Sequence, residues 1–186
     1  LFRSNLKKEY GAFEIQPDLN KKFVYFPLHV QPECTTSPEG GVFVDQILTL
    51  ETISAAIPKD WIIYVKEHPI QWIRFGTDYS DDRYQGYYKK IASISKVRLA
   101  PANTNSYELI RNSQVVVTVS GSAALESVFL RKPAVIFGYP WFQHCPGILK
   151  ADGTESCRAA LEKIVSGLKI DQQEIINYLK SFEEAS

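Results

Sequence analysis

The sequence predicts an α/β fold: a parallel sheet of about five strands with helices on both faces. Three observations carry this. Short apolar runs rich in β-branched and aromatic residues, such as Phe23-Val24-Tyr25-Phe26, Trp61-Ile62-Ile63-Tyr64-Val65 and Gln114-Val115-Val116-Val117-Thr118-Val119, read as strands buried on both faces. They alternate with stretches of helical period. Two of them also lead straight into small polar clusters, Val65-Lys66-Glu67-His68-Pro69 and Val119-Ser120-Gly121-Ser122-Ala123-Ala124-Leu125-Glu126. Ligands of open α/β sheets collect outside the carboxyl ends of strands, so the two clusters point to one shared site.

Taken in order, residues 1–20 are polar and mixed without a period, and Pro17-Asp18-Leu19-Asn20 reads as a turn. They are expected to be a lead-in or linker to a single domain over 21–186. Phe23 to Phe26 is the first strand, followed by a long Pro- and Gly-containing loop from Pro27 to Gly41. Val42 to Ile57 is predicted to be an amphipathic helix, with Phe43, Ile47, Leu50 and Ile53 (or Ser54) on one face, stopped by Pro58. Trp61 to Val65 is the second strand. Ile70 to Arg83 is aromatic and charged without period and is expected to be an irregular loop. A helix over Tyr87 to Ile94, a short strand over Val97 to Ala100 and a helix capped by Asn105 or Ser106 come next. The strand from Gln114 to Val119, a helix from Ser122 to Leu130 and a strand from Pro133 to Phe137 follow. Gly138 to Trp141 is turn-rich, and two helices, roughly Cys157 to Leu168 and Gln172 to Phe182, finish the chain.

Bulk properties narrow the function. The chain has 186 residues, enough for one domain with a substantial core and too few for two full nucleotide-binding folds. Lys plus Arg equals Asp plus Glu at 21 each, so no global basic field favours nucleic acid or an acidic membrane. No apolar run approaches the ~20 residues of a membrane helix, and a soluble protein is expected. The three cysteines, Cys34, Cys145 and Cys157, are odd in number, widely spaced and lack a C-x-x-C pair. That speaks for a reducing cytoplasm and against a disulfide framework or zinc. The chain begins at Leu1 and contains no methionine, which reads as a fragment of something larger or as methionines lost from the sequence.

Each cluster has a functional and a bland reading. Ser120, Gly121 and Ser122 offer hydroxyls and unhindered backbone at the start of a helix, where unpaired N–H groups suit phosphate; the alternative is an ordinary helix cap. Glu126, one turn on, can reach a ribose or be a surface carboxylate. His68, held before Pro69, can contact phosphate or merely cap the sheet. In Leu28-His29-Val30-Gln31-Pro32-Glu33, the polar residues alternate, and an imidazole near a carboxylate suits acid/base work; the alternative is a solvated loop. Tyr139, Trp141 and Phe142 with His144 and Cys145 can stack on a ligand or close the core. The candidate catalytic residues are therefore His29, Glu33 and His68, and the candidate ligand-binding residues Lys66, His68, Pro69, Ser120, Gly121, Ser122 and Glu126. A G-x-G-x-x-G fingerprint is absent, which weakens a dinucleotide reading.

An ordered set of motifs adds to this: Tyr25-Phe26-Pro27-Leu28-His29-Val30-Gln31-Pro32-Glu33-Cys34-Thr35-Thr36, Val44-Asp45-Gln46, Tyr64-Val65-Lys66-Glu67-His68-Pro69, Val119 to Glu126, Lys132-Pro133, Phe137-Gly138 and Cys145-Pro146-Gly147. Over about Phe23 to Ile148 the chain resembles the bacterial capsule polysaccharide biosynthesis family. That family is similar to GT-B glycosyltransferases, in which two Rossmann-like domains face each other. The resemblance implies a Rossmann-like C-terminal half that binds a nucleotide-activated sugar, with the acceptor domain outside this chain; the catalytic base is either there or among the candidates here. It implies His68, Ser120 and Ser122 on the nucleotide phosphates and Glu126 near the ribose. It also implies a cytidine-monophosphate donor such as Kdo or a sialic-acid-like sugar, a glycan or lipid-linked acceptor, and no metal or other cofactor. Ser120-Gly121-Ser122 stands where the family commonly has Thr-Gly-Thr; the hydroxyls persist. The expected setting is the cytoplasm, at the inner face of the inner membrane. Rival readings are a teichoic-acid-type polyol-phosphate transferase using a cytidine nucleotide, and a non-catalytic nucleotide- or glycan-binding module.

Overall fold

The computed structural model describes residues 5–33, 36–74 and 76–184. Six strands form one sheet: β1 (Phe23–Pro27), β2 (Ile62–Lys66), β3 (Val97–Leu99), β4 (Val115–Thr118), β5 (Ala134–Ile136) and β6 (Ile148–Lys150), in the order β3-β2-β1-β4-β5-β6. Every pairing is parallel, and Val117 lies opposite Val135, so the α/β expectation holds with one strand more than predicted. The missed strand, β6, has three residues and follows Cys145-Pro146-Gly147, too short a run to show any period.

The helices are α1 (Leu6–Gly11), α2 (Gln46–Ala56), α3 (Ile70–Arg74), α4 (Tyr87–Ser93), α5 (Ser106–Asn112), α6 (Ala123–Phe129), α7 (Thr154–Val165) and α8 (Gln172–Glu184). Alternation along β1 sends Val24 and Phe26 into a core shared with Leu50 and Ile53 of α2, Ile91 of α4 and Leu161 of α7. Phe23 and Tyr25 enter the opposite layer, with Leu109 and Ile110 of α5. Helices therefore cover both faces. A third cluster joins Ala124 and Val128 of α6 to Ile136 and to Ile175 of α8. No helix among the described residues is long and apolar enough to cross a membrane.

Three expectations are corrected. The polar lead-in contains α1, whose Leu6 and Tyr10 are buried in the main core; six residues are too few for a visible period. The carboxylate of Glu9 accepts the N–H groups of Gly86 and Tyr88, capping α4, and Ile15 N–H bonds the Leu99 carbonyl at 2.8 Å. The predicted helix from Val42 is split: a 3₁₀ turn covers Gly41–Val44, and Asp45 then caps α2 by accepting the N–H groups of Ile47 and Leu48. Its predicted apolar face is nonetheless the buried one. Within the expected loop from Ile70 to Arg83 lies α3, and at its end a fully buried arginine.

Candidate functional site

The strand order places a topological switch point between β1 and β4, whose following connections leave in opposite directions. A pocket of about 360 Å³ opens there at the carboxyl ends of the strands. Pro27 to Val30 line it from β1, Thr118, Gly121 and Ser122 from β4, and His68 and Ile70 from β2, with Glu33 on the loop. All three candidate catalytic residues thus meet on one wall set, together with Gly121 and Ser122 of the second cluster.

His29 is buried, so the solvated-loop alternative fails for it. Its Nε2 accepts the Ser120 N–H at 3.4 Å and lies 2.8 Å from Thr118 Oγ1, which itself accepts the Gly121 N–H at 3.2 Å. These partners assign Nε2 as acceptor, the Thr118 hydroxyl as its donor and Nδ1 as the protonated nitrogen. Burial, and secondarily the positive charge of Arg83, push the His29 pKa down to about 4. At neutral pH it is an uncharged acceptor that ties β1 to the β4 turn. Thr118 was the missed member here; a lone hydroxyl ending a run of valines was the available signal.

His68 is exposed, and its Nδ1 accepts the Ile70 N–H at 3.2 Å. The proton of the neutral ring therefore sits on Nε2, which can donate to an anion without the ring being charged. Below it lies a buried polar network that sequence reading did not find. Arg83, fully buried, donates to the His29 carbonyl at 2.8 Å, Gln31 Oε1 at 2.7 Å and Glu67 Oε2 at 2.9 Å. Glu67 in turn accepts the His68 N–H at 2.9 Å and the Tyr88 hydroxyl at 2.6 Å. Gln46 accepts the His29 N–H at 2.7 Å, and Gln71 accepts the Gln31 N–H at 2.8 Å. The two histidine-bearing segments are thus fixed to each other by charged, desolvated hydrogen bonds.

The remaining candidates fall elsewhere. Lys66 donates to the Thr104 carbonyl at 3.2 Å and, with its ammonium partly desolvated and its pKa lowered, does not line the pocket. Pro69 faces a different cavity. Ser120 is buried, and the Ser122 hydroxyl donates to Glu126 Oε1 at 2.9 Å, so the two acts as a pair on α6, a helix of seven residues. Tyr139 and Trp141 are exposed at the β5 end, whereas Phe142 and Cys145 are buried. Cys145 and Cys157 are free and buried, with the Cys157 thiol pushed up to about 12; Cys34 lies outside the described residues.

Gly121 is constrained by packing. A Cβ there would lie 2.9 Å from Thr118 Oγ1 and 3.0 Å from His29 Cε1. Gly121→Ala is expected to lower stability by about 1–3 kcal/mol, read by denaturant unfolding, because neither neighbour is a flexible chain end. An unchanged midpoint would show that the His29–Thr118 contact is loose.

The sequence profile of the family described as capsule polysaccharide biosynthesis protein matches residues 19–167. The chain belongs to that family. Among solved structures it is similar to KpsC β-Kdo 2,7 transferase from Thermosulfurimonas dismutans, with TM-score 0.57, 15% identity and coverage of 83% of this chain and 49% of that one. UDP-GlcNAc 2-epimerase from Methanocaldococcus jannaschii gives TM-score 0.54 at 14% identity, over 97% of this chain and 49% of that one. The KpsC β-Kdo 2,4 transferase from Thermosulfurimonas dismutans gives 0.50 at 18% identity, over 90% and 56%. This chain spans about half the length of these structures. Likeness at such identity establishes the fold, a Rossmann-like α/β unit matching one half of a GT-B enzyme. No curated protein sequence matches the chain.

Proposed function

We propose that this chain is the nucleotide-sugar-binding half of a glycosyltransferase of capsule or surface polysaccharide synthesis, working at the cytoplasmic face of the bacterial inner membrane. The observation that carries this is the switch-point pocket, with His29, Glu33, His68, Gly121 and Ser122 on its walls, in a member of the capsule family. The likeness to β-Kdo transferases supports a Kdo-like acid sugar, and the donor proposed is its cytidine-monophosphate form.

In the reaction, an acceptor hydroxyl oxygen bonds to the anomeric carbon as the bond from that carbon to the phosphate oxygen breaks, and the nucleotide leaves with the electron pair. Negative charge grows on the leaving phosphate. His68 Nε2–H donates to it, with its ring held by the Ile70 N–H. Glu33 is the carboxylate on the wall able to take the acceptor proton. His29, uncharged and already accepting two hydrogen bonds, shapes the wall and holds Ser120 and Thr118 in place.

A thermal-shift panel of CMP, CDP, UDP and GDP is expected to single out CMP. His68→Ala should weaken CMP binding by about 1.5–3 kcal/mol in calorimetry, the range for a hydrogen bond to a charged group. His68→Gln, which places an N–H near the Nε2 position, should recover part of that. Response to UDP alone would redirect the reading toward UDP-sugar chemistry, and no response to any nucleotide would sink it. With full-length protein, release of CMP with glycan extension, as opposed to polyol-phosphate transfer or no turnover, separates the enzyme reading from its rivals.

A further inference from the structure

A second cavity, about 610 Å³, opens at the same edge of the sheet. The His68–Ile70 turn borders both: His68 and Ile70 line the switch-point pocket, Pro69 this one. Its size is within the range of small-molecule sites, about 300–1,000 Å³. We propose that this cavity is a saccharide subsite, holding a neutral pyranose ring of the glycan substrate beside the nucleotide; the pairing with a nucleotide rests on the function proposed above.

The walls have the chemistry a sugar ring needs. Trp72 lies on one wall, steadied edge-on by Tyr10 with ring centroids 5.4 Å apart. Ile73, 81% exposed, and Ala102 extend the apolar surface. An aromatic and aliphatic surface suits the C–H face of a pyranose. The polar members are Lys7, Glu14, Thr77 and Asn103: one cation, one carboxylate, one hydroxyl and one amide. Their formal charges cancel, which gives no advantage to a phosphate and offers donors and acceptors to ring hydroxyls. The Lys7 ammonium stands 6.0 Å from the Trp72 ring centroid, at the mouth of the same wall. A neutral polyol fits this set better than a second nucleotide does.

Helix α1 supplies a clean way to close the cavity. Lys7 and Gly11 lie one turn apart on its cavity side, with Glu14 beyond its end and the ring of the buried Tyr10 also on the wall. A Cβ at Gly11 would meet nothing within 4 Å, and its backbone is helical. Gly11 therefore accepts a side chain on its cavity side, and Gly11→Tyr is the substitution chosen to fill the space.

The test is a titration of the whole chain with N,N′-diacetylchitobiose and with lactose, following the three tryptophan indole N–H signals by NMR. A saturable shift of the Trp72 signal is expected with at least one disaccharide, while Trp61 and Trp141 stay still. Gly11→Tyr should abolish that shift and leave CMP affinity within twofold of the wild type. Because Gly11→Tyr can itself disturb α1, Asn103→Ala is the second variant, expected to weaken disaccharide binding severalfold with the fold intact. No saturable Trp72 shift with either sugar, or a shift that survives both variants, overturns the proposal. Loss of CMP binding in Gly11→Tyr equally overturns it, since the two sites would then not be separate. Failure of the wild type to bind CMP, with the Trp72 shift present, instead refutes the nucleotide reading and leaves the saccharide subsite standing.

Discussion

Arg83→Met is expected to lower the free energy of unfolding by about 3–5 kcal/mol, the range for removing one partner of a buried ion pair. Arg83 and Glu67 side chains are both 0% exposed and 2.9 Å apart, so the substitution strands a carboxylate in the core with only the His68 N–H and the Tyr88 hydroxyl to hold its charge. Against a typical total of 5–15 kcal/mol this threatens folding itself. The double variant Glu67→Gln with Arg83→Met should recover a large part of the loss, since no charge is then left buried. If the single variant unfolds at the wild-type midpoint in urea, the pair is not desolvated and the network has been misread. Arg83→Lys should fall between the two. An ammonium keeps the charge and cannot span the His29 carbonyl, Gln31 and Glu67 together, which the planar guanidinium reaches at 2.7–2.9 Å.

The network matters to function because it crosses between strands. β1 and β2 pair in register only to Pro27 and Lys66, and beyond that point the backbone has no ladder to fix it. Arg83, Gln46 and Gln71 take over, binding the backbone of residues 29 and 31 from three separate elements. A pocket whose walls come from three strand ends keeps its shape only if those ends are tied together. Here the ties are dry, and those of Arg83 are charged as well, which makes the network strong and intolerant of loss.

This division explains what the sequence disclosed. β-Branched runs such as Val115 to Thr118 announce a buried strand by composition alone, and the two polar clusters were placed correctly because a strand's end is a local property. Five of the nine candidate site residues, His29, Glu33, His68, Gly121 and Ser122, share one pocket because their strands are neighbours at the switch point. Pro69, next to His68, falls on the opposite side and lines the other cavity, whereas Lys66 is drawn away by its bond to the Thr104 carbonyl, a partner 38 residues on that nothing local announces. Arg83 was illegible for a different reason. It sits in Asp81-Asp82-Arg83, a charged stretch that reads as solvated surface, and its partners Gln31 and Glu67 lie 52 and 16 residues away. Nothing local marks an arginine whose partners are assembled only by the sheet. Helix α1 was lost similarly, its buried Leu6, Glu9 and Tyr10 making sense only against α4 and β3.

His29 gives the last expected result, a loss of stability in mild acid that a single substitution should remove. Burial and the Arg83 charge depress its pKa from an ordinary value near 6.5 to about 4 in the folded chain. As pH falls through 6.5, the unfolded chain takes up a proton that the folded one refuses, so unfolding becomes progressively easier. The stabilising contribution is complete above about pH 7 and is lost between about 6.5 and 4. At 1.36 kcal/mol per unit it amounts to about 3 kcal/mol across that window. Carboxylates titrate in the same range, so the informative quantity is the difference between wild type and His29→Gln at each pH. Gln places an amide oxygen where Nε2 accepts from the Ser120 N–H and the Thr118 hydroxyl, preserving the acceptor while removing the titration. His29→Gln should carry a constant offset at neutral pH and gain on the wild type by about 3 kcal/mol by pH 4. Parallel curves, measured by urea unfolding from pH 4 to 8, would mean that His29 is solvated, and a wild type that gains on His29→Gln as pH falls would mean that it is paired with a carboxylate. In either case the imidazole would be free to act as an acid or base, and the uncharged structural role assigned to it here would pass to another residue.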